Sequence, residues 1–270
     1  MKLNRNSIVM CACIFIRLHL VSSQTYDEAV TVLRNKTFFY EKSIRPVTNQ
    51  SSTLIVHINF DLVSIQDFDE VQESLTVIGG LTLTWTDDFI KWNPADYGGM
   101  VDIVSESGKF WTPYLILTNN VNKLDKVGES WQRIRFTNEG VAKVVQADTW
   151  STLCKADVMY YPWDDHWCGF EFASVAYKPD EMTLQPGSDK ISTHYYIESG
   201  AWELLGSDIQ HDWSISRDSK VERAMHTRDE EDAEFGNFRV CLYSYSSAAA
   251  TRDGTGQDRR ERKEKKKWKA

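Results

Sequence analysis

The sequence predicts an all-β chain folded as a two-sheet sandwich, with one short helix ahead of the strands. Three observations carry that expectation. Leu54, Val56, Ile58, Phe60 and Leu62 alternate with Ile55, His57, Asn59 and Asp61, the period of a half-buried strand. Short strand-like runs follow one another with turn residues between them, which is sandwich patterning. Ten tryptophans in 270 residues, with 41% hydrophobic content, suit pleated surfaces better than a helical bundle.

Residues 1–23 read as a secretory signal: Lys2 and Arg5, an apolar run over Ile8–Ile16, then Val21-Ser22-Ser23. Secretion removes Cys11 and Cys13 and leaves Cys154, Cys168 and Cys241 in an oxidising compartment. The triplets Asn35-Lys36-Thr37 and Asn49-Gln50-Ser51 are glycan acceptors on the same route. Residues 25–34 read as a helix, with Thr25 as N-cap and Asp27 and Glu28 in the first turn.

The strand from Thr53 ends at a turn placed on Asp67–Glu70, and a second alternation runs through Leu75, Val77, Leu81, Leu83 and Trp85. Gly79-Gly80 interrupts it, at a bulge or a place of close backbone approach. Asn93-Pro94 and Gly98-Gly99 are turn chemistry around Tyr97. Further strands are expected at 131–136, 141–147, 150–158, 168–173, 201–209 and 235–245. In the last of these Cys241 alternates with Phe238, Val240 and Leu242 and shares a face with Arg239 and Tyr243. Residues 246–270 form a charged tail of low apolar content, expected to be disordered. No run of eighteen apolar residues follows the signal, so no membrane span is expected in this sequence.

Charge excludes one class of partner. Setting aside residues 1–23 and 251–270 leaves 19 basic and 35 acidic residues, a net −16. Such a body repels nucleic acid and attracts cations.

Thirteen residues separate Cys154 from Cys168, and Tyr161-Pro162-Trp163-Asp164 lies between them. Read alone, this is a disulfide hairpin with a proline turn, or a stiff loop presenting two rings to a partner. A second motif runs Trp85-Thr86-Asp87-Asp88-Phe89-Ile90-Lys91-Trp92-Asn93-Pro94-Ala95-Asp96-Tyr97-Gly98-Gly99, a third is Phe110-Trp111-Thr112-Pro113-Tyr114, and Arg45-Pro46-Val47 precedes both. Together these resemble the extracellular ligand-binding domain of the Cys-loop receptors, and in particular the nicotinic acetylcholine receptor branch. Phe89 stands where that family usually has arginine, Tyr114 where it has aspartate, and Tyr161 and Trp163 replace two phenylalanines.

The resemblance covers residues 25–245 and implies an immunoglobulin-like sandwich of about ten strands, a domain over 24–245, and assembly with same-family subunits into a pentamer, homomeric or heteromeric. It implies a disulfide between Cys154 and Cys168, and a role for Tyr161, Pro162, Trp163 and Asp164 at the loop tip in coupling to a membrane pore. It also places the aromatic cage that holds a quaternary ammonium ligand. The cage positions are Thr118, Val175 and Gly80, none of them aromatic, and no tyrosine occurs between Tyr196 and Tyr243. Acetylcholine is therefore not expected to bind through the usual cage. Either partner subunits supply one, or another small molecule uses the acidic stretch Ser219–Glu234, which otherwise reads as a solvated loop.

Three functional classes follow: a channel subunit cut short before its pore, a secreted binding module like the molluscan acetylcholine-binding proteins, and a ligand-free adhesion module. No enzyme is expected, since the sequence carries no nucleophile–base signature and no phosphate-binding glycine loop. No cofactor is expected. A metal site at Asp164-Asp165-His166 with the cysteines gives way to the disulfide, so no metal is expected either.

Overall fold

The computed structural model describes residues 24–156, 165–199, 202–212 and 237–246. Helix α1 spans Tyr26–Thr37 and starts with a capping box. The Glu28 main-chain N–H donates to the Thr25 hydroxyl at 3.3 Å, and the Thr25 N–H returns a bond to the Glu28 carboxylate at 2.8 Å. The helix runs three residues beyond the stretch read from sequence, ending with Arg34 and Lys36 in its last turn, where cations suit the helix dipole.

Ten strands follow among the described residues: β1 (Leu54–Asp69), β2 (Ser74–Thr86), β3 (Asp102–Glu106), β4 (Leu115–Leu117), β5 (Arg133–Thr137), β6 (Val141–Leu153), β7 (Asp165–Ser174), β8 (Met182–Pro186), β9 (Trp202–Asp212) and β10 (Asn237–Ser246). They form a six-stranded sheet in the order β3-β5-β6-β2-β1-β8 and a four-stranded sheet in the order β4-β7-β10-β9. The all-β sandwich with an N-terminal helix is as expected.

Several boundaries differ from the expectation. Asp67–Glu70 is not the first turn, because Asp67, Phe68 and Asp69 still pair with Thr76, Leu75 and Ser74. Phe68 is buried and stacks on His166 at 4.2 Å, which holds the strand in register past two polar residues. The turn falls after Asp69, whose Oδ1 accepts from the main-chain N–H groups of Val71 and Gln72. The segments 141–147 and 150–158 are one strand up to Leu153, since β6 pairs without a break along β2 from Val141↔Thr86 to Leu153↔Ser74. Strands β3, β4 and β8 go beyond the sequence expectation. Each has at most five residues, and β8 ends in Pro186, which marks an edge position. There it pairs in parallel with β1, from Leu54↔Met182 to Ile58↔Pro186.

Gly79-Gly80 leaves the β2–β6 ladder intact, and the irregularity lies across from it on β1, between Leu62 and Ser64. Close approach is the reason for Gly79: a Cβ there would stand 2.6 Å from the Phe60 ring and 2.9 Å from the Asp61 carbonyl. The carbonyl of Gly79 also accepts from Trp150 Nε1 at 2.9 Å.

Aromatic side chains from both sheets fill the space between them. Phe60 stacks on Phe170 at 5.5 Å, and Trp150 meets Phe172 edge-on at 5.5 Å. Arg45 fastens the segment after α1 to this body. Its guanidinium is buried and donates to the carbonyls of Gln50, Ser52 and Glu181.

Candidate functional site: a disulfide-tied hairpin and two loops at a sheet edge

The disulfide joins Cys154, just past the end of β6, to Cys168 in β7. Both cysteines are buried, and the Cys154 N–H donates to the Glu73 carbonyl at 2.7 Å, so the hairpin base is fixed to the β1–β2 turn. Asn119 braces the same base from the other sheet. Its Nδ2 donates to the Gly169 carbonyl at 2.7 Å, and the Leu153 N–H donates to its carbonyl at 2.8 Å. The loop-tip residues Tyr161, Pro162, Trp163 and Asp164 lie outside the described residues, as does the acidic stretch Ser219–Glu234.

The cage-equivalent positions fall on two different layers. Thr118 follows β4, and its N–H and hydroxyl both donate to the Glu171 carbonyl, at 2.8 and 3.1 Å. Val175 is the residue after β7 and is 47% exposed. Since β4 pairs with β7 through Leu115↔Ser174 and Leu117↔Phe172, Thr118 and Val175 belong to one edge of the four-stranded sheet. Gly80 sits in β2 of the other sheet, opposite Asp61 and Ala147. A Cβ at Gly80 would only touch Val145 Cγ1 at 3.4 Å, so a methyl group is accommodated there.

A polar relay behind this edge is not visible as such in the sequence. Tyr40 donates its hydroxyl to Asp87 Oδ2 at 2.6 Å and accepts from the Trp111 main-chain N–H at 3.3 Å. Trp111 Nε1 then donates to the Tyr177 hydroxyl at 2.9 Å. The relay links the segment after α1, the end of β2, the loop before β4 and the loop after β7. Asp87 is fully buried and also accepts from the N–H groups of Phe89 and Ile90. Burial holds its carboxyl above the usual aspartate range, outweighing the hydrogen bonds that pull the other way. Burial also pushes the Tyr40 phenol above the usual tyrosine range, and the charge of Asp87 adds to the effect, so Tyr40 remains a donor. The Trp-x-Asp element of the second motif is the one sequence signal for this relay.

The two acceptor asparagines are both exposed. Asn35 lies on α1 with Nδ2 donating to the Tyr97 hydroxyl at 3.3 Å. Tyr97 is held by the turn read from sequence, with Gly98 and Gly99 at φ of 58° and 77°. Asn49 sits in a loop where its Oδ1 accepts from the Ser51 N–H at 3.0 Å. His166, weighed as a metal ligand, is buried between Phe68 and the edge of Trp202. Among the described residues no three His, Cys, Asp or Glu side chains converge on a common point. No helix among them is long and apolar enough to cross a membrane. Cys241 pairs in register with Gly169 and Asp208 on the backbone of β10.

Comparison with known proteins agrees with this geometry. Over 166 residues the chain is 31% identical to the acetylcholine receptor subunit alpha-type acr-16 of Caenorhabditis elegans, covering 61% of this chain and 33% of that protein. It is 26% identical over 176 residues to the neuronal acetylcholine receptor subunit beta-3 of Homo sapiens, covering 65% and 38% respectively. With the human neuronal acetylcholine receptor subunit alpha-3 it shares 29% identity over 167 residues, covering 62% and 33%. The chain thus spans well under half the length of these relatives. Residues 27–227 match the neurotransmitter-gated ion-channel ligand binding domain, and the chain belongs to that family.

Proposed function

We propose that this chain is the extracellular ligand-binding domain of a nicotinic acetylcholine receptor-like channel subunit, of a type that does not itself supply the agonist cage. The observation that carries this reading is the pairing of an intact scaffold with ring-free cage positions. The disulfide-tied hairpin and Trp111, which donates to Tyr177, stand on the motifs that carry the resemblance, while Thr118, Val175 and Gly80 have no aromatic ring. Each ring absent from a cage forfeits roughly 0.5–2 kcal/mol of cation–π attraction. Losing all three rings removes roughly 1.5–6 kcal/mol, a weakening of about tenfold to more than about ten-thousand-fold, because each ~1.4 kcal/mol is tenfold.

In this reading residues 1–23 are a signal, 24–245 the domain and 246–270 a basic tail. Asn35 and Asn49 carry glycans, and Tyr161, Pro162, Trp163 and Asp164 face a membrane domain. Partner subunits of the same family complete a five-membered ring and contribute any aromatic cage. The test is calorimetric titration of the purified protein with acetylcholine and nicotine, alongside native mass spectrometry. The expected result is a ring-sized assembly with no saturable binding below millimolar ligand. Tight, saturable binding of either ligand by the homomer overturns the reading, and a strictly monomeric protein favours an adhesion module instead.

A further inference from the structure

Gln24 stands immediately ahead of the first helix and outside its hydrogen bonding. Thr25 is the N-cap of α1, and its main-chain N–H and hydroxyl both donate to the Glu28 carboxylate, at 2.8 and 3.0 Å. The capping box therefore closes at Thr25 and takes nothing from Gln24. Among the described residues the Gln24 main-chain nitrogen has no hydrogen-bond partner. The Gln24 side chain is exposed, and its Nε2 donates to the Gly99 carbonyl at 3.3 Å, a long contact for such a pair.

Val21-Ser22-Ser23 close the signal reading of residues 1–23, so removal of that segment makes Gln24 the first residue of the mature chain. A free α-amino group titrates at about 7.7–8.0, which leaves a sizeable share of it neutral and nucleophilic near neutral pH. In an N-terminal glutamine the amide carbon Cδ lies within reach of that same nitrogen, because their joining closes an unstrained five-membered lactam.

We propose that Gln24 is a modification site: once residues 1–23 are removed, its side chain closes onto its own α-amino group and the mature chain begins with pyroglutamate. The α-nitrogen attacks Cδ, the Cδ–Nε2 bond breaks, and a proton from the amine leaves with Nε2 as ammonia. No water, oxidant or reductant enters the step. The modification rests on the removal of residues 1–23 proposed above and does not occur without it.

The fold accommodates each part of this change. Ring closure consumes a nitrogen that holds no other part of the described chain. The capping box begins one residue later and stays intact. The Gly99 carbonyl loses its donor, and because Gly99 is partly exposed, water takes that place. A neutral lactam also replaces an ammonium beside the positive end of the α1 dipole.

The full chain, signal included, is expressed in secreting eukaryotic cells and purified from the medium. Reductive dimethylation of the intact protein before digestion labels any free Gln24 amine and prevents its closure during handling. Cleavage at arginine then yields residues 24–34, a peptide that ends at Arg34 and stops short of the Asn35 sequon. Tandem mass spectrometry should find this peptide without a label at its N-terminus and lighter by one ammonia than the glutamine form. Pyroglutamyl aminopeptidase should remove one residue and expose an amine on Thr25 that then takes the label. Q24A should give the corresponding peptide fully labelled, with secretion unchanged. A labelled Gln24 overturns the modification while the signal reading stands. An N-terminus at another residue overturns the boundary at residue 23 and the modification with it.

Discussion

Asp87 and Gly79 show how single positions carry consequences that composition hides. The buried Asp87 carboxyl takes a proton more readily in the folded chain than in the unfolded one. Between the unfolded value, about 4, and the raised folded one, the folded state binds more protons, so stability falls as pH rises through that window. D87N keeps an acceptor for the Phe89 and Ile90 N–H groups and should flatten this part of the pH–stability curve in urea titrations. D87A leaves those donors and the Tyr40 hydroxyl without their partner and should cost about 1–3 kcal/mol at any pH. The adjacent glycines should separate as sharply. G79A drives a methyl into the Phe60 ring and the Asp61 carbonyl and should cost about 1–3 kcal/mol. G80A meets only Val145 and should stay within about 0.5 kcal/mol in the same denaturation assay. In the sequence the two glycines look alike, because the ring that forbids a side chain at one of them arrives from another strand.

At the scale of elements, the hairpin between β6 and β7 carries the clearest prediction. The disulfide closes a loop with a sequence separation of 14, and replacing both cysteines with serine should lower unfolding free energy by about 3 kcal/mol. Chemical denaturation of the double variant under identical redox conditions measures this directly. Period-two runs make β1 and β2 legible in the amino acids alone, since one buried face leaves that alternation in the chain. The same rule splits β6 into runs at 141–147 and 150–158, while the ladder with β2 passes straight through Asp148 and Thr149 between them. It misses β8 altogether. Five residues ending in proline carry too little pattern, and only the parallel pairing with β1 makes them a strand. Partner-dependent elements of this kind are where local sequence is least informative.

For the whole molecule, two layers place Thr118 and Val175 on one sheet and Gly80 on the other. The family resemblance implies which positions are cage-equivalent but not this division, which depends on strand order across both sheets. The relay through Tyr40, Asp87, Trp111 and Tyr177 is equally hidden, because its four members lie up to 137 positions apart. Restoring the rings with G80W, T118Y and V175W tests the arrangement as a unit. The triple variant should gain acetylcholine affinity at least about tenfold over the parent in calorimetry, each ring returning part of the lost attraction. Single variants should gain much less. Arg45 adds a different kind of robustness, because it grips three main-chain oxygens rather than any acid. A guanidinium keeps its proton at every physiological pH, and peptide oxygens have none to lose. Acidification that loosens carboxylate-based contacts therefore leaves this clasp shut, and the segment after α1 stays fastened to the sandwich as the pH falls.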